Sequence, residues 1–276
     1  MNSQPIETDS GCPRGRAYVH LFVRVVCPQV RGEHGPTRHA VLWQRSARRT
    51  NAHGFLRLGR GFAERTVAID CGFTAVTAAR RGRRFLHTPA EGLRLLGIAS
   101  ESIRHIILTH FHNDHIGSLA DFPNASFVVQ DREMAFWTGR YASKGAFLWV
   151  VEPEDILELV RQNFAGRVRF VDGAAEIVPG ISVHHVGGHA AGLQVVCVET
   201  TRGRVVLASD AAHYYANIEE DRPFRIVSDL PQMYDAFETI HTLADSPEHV
   251  IPGHDPLVLT RYPAVPGLEG IAVRLA

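Results

Sequence analysis

Short apolar runs, separated by turns rich in glycine and charge, recur along this chain of 276 residues. Several apolar residues in a row, or strict alternation, read as a strand, and a spacing near 3.6 reads as a helix. By that rule Tyr18 to Val26 is a first strand, preceded by a polar, disordered lead-in at 1–17. Residues 27–62, dense in proline, glycine, histidine and arginine, show neither period and read as an irregular segment. Order resumes in a strand at Thr66-Val67-Ala68-Ile69, which ends on Asp70-Cys71-Gly72. Thr88-Pro89-Ala90-Glu91 then opens a helix, with Thr88 as N-cap, proline at the first position and Glu91 closing a capping box. Strands follow over Ser102 to Thr109 and Ala125 to Gln130. Asp131 is placed to cap a helix bearing Met134, Phe136 and Trp137, and Ile156, Val160 and Phe164 mark a helix over Pro153–Phe164.

The second half is richer in strands: Arg167–Val171, Ile181–Val186, Leu193–Thr200 and Val205–Ser209, the last two joined as a hairpin through Arg202-Gly203. A helix over about 230–245 buries Met233, Phe237, Ile240 and Leu243, and a short strand at His249–Ile251 runs into Pro252-Gly253-His254. Strands with helices in both halves predict one α/β domain over 18–276, with helices outside two packed sheets.

One stretch stands apart from this patterning. Directly after the apolar run Ile106-Ile107-Leu108 come Thr109-His110-Phe111-His112-Asn113-Asp114-His115. A lone histidine is usually structural, but packing has no use for four imidazole or carboxylate groups gathered where a buried strand ends, because each costs free energy to desolvate. The H-x-H-x-D-H order therefore reads as a metal-ligand loop. Three further strand ends carry the same chemistry: His189 after Val186-Gly187-Gly188, Asp210 after Val206-Leu207-Ala208-Ser209, and His254 after Val250-Ile251-Pro252-Gly253. Each alone is weak, since Asp and Gly also make ordinary turns. Together they can complete two metal shells.

Composition narrows the rest. The 29 basic and 29 acidic side chains balance, so no overall field draws the chain to nucleic acid or an anionic membrane. Almost all the bases are arginine, Lys144 being the only lysine. Cys12, Cys27, Cys71 and Cys197 are scattered without C-x-x-C spacing, which suits free thiols in a reducing compartment. The N-terminal stretch has no apolar signal core, and no run approaches the length of a membrane span. A cytoplasmic protein is expected.

With these residues in view, the sequence resembles the metallo-β-lactamase superfamily over about residues 66–262, through Asp70, His110, His112, Asp114, His115, His189, Asp210 and His254. The resemblance implies an αββα sandwich, two mixed β-sheets flanked by helices, with two Zn²⁺ ions per chain at one edge. His110, His112 and His189 would hold one ion, Asp114, His115 and His254 the other, with Asp210 bridging and Asp70 orienting a ligand. Mn²⁺, Co²⁺ or Fe²⁺ also suit such donors. A water shared by two divalent ions ionises near neutral pH, so the expected chemistry is attack of a bridging hydroxide on an ester-like carbonyl, with Asp114 handling a proton.

Several activities share such a centre. Thioesterases of the glyoxalase II kind carry a helical region after the last ligand, whereas here only 22 residues (276 − 254) follow His254. Flavodiiron proteins replace one His of the cluster with Glu and fuse a flavin domain; neither feature occurs. The stretches from His185 to Leu193, Ala208 to Tyr215 and Ile251 to Asp255 look most like the N-acyl-homoserine lactonase branch. The implied substrate is a small N-acyl-homoserine lactone, a bacterial quorum signal, and a homodimer is possible. Where members of that branch place a substrate-contacting tyrosine, three residues after the bridging aspartate, this chain has His213, followed by Tyr214 and Tyr215. His213 and Tyr214 are therefore the candidate substrate contacts, and Phe111, Met134, Phe136, Trp137, Phe147, Trp149 and Phe224 candidates for an apolar trough. Hydrolysis of another lactone, ester or thioester, or a non-catalytic metal-binding sensor, are the alternatives.

Overall fold

The computed structural model describes residues 66–275 and three earlier strands, Phe22–Val25 (β1), Ala40–Trp43 (β2) and Gly54–Arg57 (β3). β1 falls inside the expected Tyr18–Val26 strand; the expected lead-in at 1–17 lies outside the described residues. Within 27–62, read from the sequence as irregular, β2 and β3 are strands. Their order comes from pairing. β3 lies antiparallel to Thr66–Ile69 (β4), with Phe55 opposite Ala68. β2 is sandwiched between β1 and Ala272–Arg274 (β13), a strand the sequence pattern did not reveal.

The first large sheet has the order β3-β4-β5-β6-β7, where β5 is His105–Ile107, β6 Ser126–Gln130 and β7 Val168–Val171. β4 to β7 run parallel. Their connections carry Ala75–Arg80 (α1), Pro89–Leu95 (α2), Asp131–Trp137 (α3), Gly145–Leu148 (α4) and Pro153–Phe164 (α5). The second sheet has the order β12-β11-β10-β9-β8: Ala174–Val178 (β8), Ile181–His185 (β9), Gln194–Thr200 (β10), Gly203–Ser209 (β11) and Val250–Pro252 (β12). Its strands are antiparallel except for the parallel pair β11 and β12. Tyr215–Glu219 (α6) and Leu230–Leu243 (α7) lie between β11 and β12, and Val258–Arg261 (α8) follows β12.

The central strands of each sheet are buried on both faces, and their side chains alternate between two cores. Val67, Ile69, Ile107 and Val128 of the first sheet meet Val183, Val196, Val198, Val205 and Leu207 of the second. Their neighbours Ala68, Ile106, Phe127 and Val129 point the other way, onto Leu93, Trp137, Ile156 and Leu159 of the helices. On the far side Val195, Cys197, Val206 and Ala208 pack against Ala236 and Ile240 of α7. Helices, sheet, sheet and helix form the αββα sandwich. Each wholly buried Val, Leu or Ile contributes roughly 1.5–3 kcal/mol of transfer free energy, so these layers fix the sheet edges where the polar loops emerge.

Local sequence signals hold where they are short-range. The Thr88 capping box forms, with Glu91 N donating to Thr88 Oγ1 at 3.1 Å and Thr88 N donating to Glu91 Oε2 at 2.7 Å. Asp131 proves to be the first residue of α3 rather than its cap; Gln130 occupies the cap position and makes no side-chain cap bond. The expected Ser102–Thr109 strand shortens to β5, because the Thr109 N–H turns to the Asp70 carboxylate instead of continuing the ladder. Among the described residues no helix is long and apolar enough to cross a membrane. Cys71 and Cys197 are buried free thiols.

Candidate metal centre

The candidate ligands all leave strands at the same edge of the sandwich. The His110–His115 loop follows β5, His189 follows β9, Asp210 follows β11 and His254 follows β12. Three links hold the two sheets in register there. Gln194 N donates to Thr109 O (2.9 Å), Gln194 Nε2 donates to Leu108 O (2.7 Å), and Ser209 Oγ donates to Thr109 Oγ1 (2.9 Å). Asp70 and Ser209 adopt left-handed φ values of 62° and 47°, uncommon for non-glycine residues, and each immediately precedes or supports a ligand turn.

The centre is built around the Asp210 carboxylate. Its Oδ1 lies 2.7 Å from His254 Nε2 and 3.4 Å from His115 Nε2. Its Oδ2 lies 3.1 Å from His213 Nε2, 3.3 Å from His189 Nε2 and 3.8 Å from His110 Nε2. Two sets of donor atoms converge within 4.8 Å: His110, His112, His189 and Asp210, and separately Asp114, His115 and His254. The structure thus brings together the seven candidates named from the sequence, with Asp210 grouped in the first set and near His115 and His254 of the second. A third set, Asp210, His213 and His254, brings His213 to the same place.

The histidine environments suit cations. His189 Nδ1 faces the Ile226 carbonyl at 2.7 Å; a carbonyl only accepts, so that nitrogen carries the proton and a neutral ring leaves Nε2 bare. That bare Nε2 stands 2.9 Å from His112 Nδ1, and His110 Nε2 is buried without a hydrogen-bond partner among the described residues. His112 can donate to that nitrogen through Nδ1, but the unpartnered His110 Nε2 and the convergence of His110, His112, His189 and Asp210 donor atoms within 4.8 Å suit a cation. His115 is fixed from behind, with Nδ1 at 2.7 Å from Asp70 Oδ2, while Asp70 Oδ1 accepts from Thr109 N at 2.7 Å. Such a carboxylate behind an imidazole is what orients a metal-ligating ring. The donor set therefore fits a divalent metal centre.

Proton affinities follow from the same crowding. Burial, and the neighbouring imidazoles, push His110 and His189 well below the usual histidine range; burial brings His112 down to about 3. For His115 burial acts downward, but Asp210 and Asp70 outweigh it and raise the ring. Burial alone would raise Asp210; His213, His254 and His115 hold it well below the usual carboxylate range.

The candidate substrate contacts are placed less uniformly. Asp114 turns Oδ1 toward His115 Nε2 (3.8 Å), while its Oδ2 accepts from Arg83 Nη1 at 2.9 Å. His213 is 2% exposed and stacks on Phe224 at 3.7 Å between centroids and on His254 at 4.8 Å. Tyr214 is half-buried and lines a cavity of about 320 Å³ with Ala212, Tyr215 and Arg261, whose lining includes none of the seven ligands. Of the apolar-trough candidates, Phe224 touches the centre through His213 and Trp137 meets His112 edge-on at 6.1 Å. Phe111 is fully buried core, Phe136 and Phe147 pack against each other, and Trp149 is exposed. His185 Nε2 lies 3.0 Å from Ala191 O in the His189 loop, a structural role. Sequence reasoning missed Arg83, Gln194 and Glu133, whose partners lie far away along the chain.

This edge-mounted cluster of imidazoles about one aspartate, on an αββα sandwich, is the arrangement of a metal-dependent hydrolase fold. The sequence pattern of the metallo-beta-lactamase superfamily matches residues 63–254, and the chain belongs to that superfamily. An N-acyl homoserine lactonase from Bacillus cereus is 29% identical over 133 residues, 48% of this chain and 48% of that protein. Another, from Azorhizobium caulinodans, is 24% identical over 189 residues, covering 63% and 66% of the two chains. The chain thus spans about half the length of the Bacillus relative it matches. In three dimensions it is similar to an N-acyl homoserine lactone hydrolase solved with N-hexanoyl-L-homoserine bound at its catalytic metal centre. The TM-score is 0.63 at 18% identity, covering 91% of this chain and 99% of that one. A likeness at that identity speaks for the fold.

Proposed function

We propose that the chain is a dinuclear zinc hydrolase that opens the ring of N-acyl-L-homoserine lactones and so degrades quorum signals. One observation carries the metal-dependent part: Asp210 lies between two sets of converging donors, with five imidazole nitrogens within 3.8 Å of its oxygens. The lactone part is supported by the relatives' activity. Two divalent ions bound here would supply a more acidic water and polarise a carbonyl oxygen. The chain's own groups do the rest. Asp70 and the Ile226 carbonyl hold the rings of His115 and His189 in their ligating tautomers. Asp114, its Oδ2 engaged by Arg83, keeps Oδ1 toward the centre to accept a proton and return it to the leaving oxygen. His213, held between Phe224 and His254, or Tyr214 supplies the hydrogen bond to the substrate carbonyl. A cytoplasmic location and a homodimer belong to the same proposal.

A second reading, hydrolysis of a different lactone, ester or thioester, is favoured by His213, which replaces the tyrosine expected in the lactonase branch with a shorter, buried ring. A pH-stat assay of zinc-loaded protein against N-acyl-homoserine lactones of graded chain length, other lactones, thioesters and phosphodiesters separates the readings. Lactone opening that exceeds the other classes bears out the first; turnover confined to another ester class replaces it with the second. Two ions per chain without turnover of any substrate would favour a metal-binding sensor.

A further inference from the structure

The loops that carry His110, His112 and His189 are joined by one side chain that touches none of the three rings. Glu133, in the first turn of α3, is 1% exposed. Its Oε1 accepts from Phe111 N at 2.9 Å and from Trp137 Nε1 at 2.8 Å, and its Oε2 accepts from Gly192 N at 2.6 Å. Phe111 stands between His110 and His112, and Gly192 follows His189 by three residues. The approach is close in the backbone too. A Cβ on Gly192 would lie 2.4 Å from Glu133 N and 2.7 Å from its Cα, so only glycine lets the His189 loop settle against α3. Trp137, the third donor, presents its ring edge-on to His112.

We propose that Glu133 is the positioning residue that fixes the separation of the His110–His112 loop from the His189 loop, and with it the affinity of that donor set for its ion. An ionised carboxylate meets three N–H groups with two acceptor oxygens and brings no O–H that would need an acceptor of its own. A glutamine of the same size offers one acceptor oxygen and turns an NH₂ donor toward an N–H. A buried carboxylate is costly to retain for packing alone, and here its three donors include both ligand loops. Glu133 ties the His189 loop to the backbone between His110 and His112, all three in one donor set, so its effect falls first on that set. The inference rests on the proposed metal centre.

The test is metal binding by the full chain, stripped with a chelator and titrated with Zn²⁺ against a chromophoric competitor, then with Co²⁺ while tryptophan fluorescence is followed. Trp137 lies beside His112, so filling that set with Co²⁺ quenches its emission. In Glu133→Gln we expect one of two binding steps, the one that quenches, to weaken roughly 10- to 100-fold, the usual effect of removing a group that orients ligands, while the other step stays within about threefold. Gly192→Ala, which forces the same loop away, is expected to weaken the same step. Circular dichroism of the stripped variants shows whether they fold, and if Glu133→Gln does not, Gly192→Ala carries the comparison. Two steps of wild-type affinity in a folded variant, or equal weakening of both, would overturn the proposal. Failure of the wild-type chain to bind any ion would instead remove the metal centre itself.

Discussion

Replacing Asp210 by asparagine is the sharpest single perturbation of the centre. The substitution keeps volume and one carbonyl oxygen but removes the carboxylate that belongs to the first donor set and faces His115 and His254 of the second. Asp210 is 3% exposed and its oxygens lie 2.7 Å from His254 Nε2 and 3.1 Å from His213 Nε2. Solvent therefore cannot replace the lost charge. Removing one partner from a buried charged assembly costs about 3–5 kcal/mol. At about 1.4 kcal/mol per decade this is roughly a 100- to several-thousand-fold loss of affinity, enough to empty at least one site at micromolar metal. The amide NH₂ adds to the loss, because a donor then faces His189 or His254 where an acceptor stood. The assay is metal content per chain after dialysis against a weak chelator, with lactone turnover measured on the same samples. Asp172→Asn, an exposed carboxylate, serves as control. Asp210→Asn retaining two ions within threefold of wild-type affinity, or turning over substrate at the wild-type rate, would refute the bridging role.

Three further outcomes follow from the same geometry. Asp70→Asn removes the carboxylate behind His115, where Nδ1 and Oδ2 are 2.7 Å apart, and should weaken ion binding at the Asp114/His115/His254 set roughly 10- to 100-fold in a competition titration; unchanged affinity would deny Asp70 its orienting role. Gly253→Ala would put a Cβ 2.6 Å from the Ser209 carbonyl oxygen and 3.1 Å from Asp210 Oδ1. It should lower stability by about 1–3 kcal/mol in denaturant melts and displace His254, and a variant as stable as wild type would show that the turn has slack. In chelator-stripped protein, His112 at about 3 and the lowered His110 and His189 stay neutral when folded but take protons near 6.5 when unfolded. Stability should then fall as pH drops below about 6.5, by about 1.4 kcal/mol per pH unit for each ring, whereas the raised His115 loses its contribution only as pH climbs above that value. A melting temperature flat from pH 6.5 to 4.5 would contradict the burial of these rings as neutral groups.

The candidate donors stood out because each obeys a short-range rule: a polar residue of metal-binding type follows an apolar strand, and parallel or hairpin pairing then brings those strand ends to one edge. The αββα layering was legible for a similar reason. Runs such as Ile106-Ile107-Leu108 are apolar at every position, which only a sheet covered on both faces requires, and the structure sends Ile106 to the helices and Ile107 to the facing sheet. What escaped reading depends on partners far away in sequence. β2 and β13 are ordinary short apolar stretches whose order comes from pairing with each other across most of the chain. Glu133 looks like any acidic residue in the first turn of a helix, yet its donors lie 22 and 59 residues away. Arg83 likewise is one base in an arginine-rich stretch until the fold sets it on Asp114, 31 residues on. Local pattern names the atoms that can bind an ion, because that is a property of residue type and strand end. The surroundings of those atoms are set by side chains whose contacts exist only after the sheets have packed: Glu133 between two loops, Arg83 on Asp114 and His213 on Asp210.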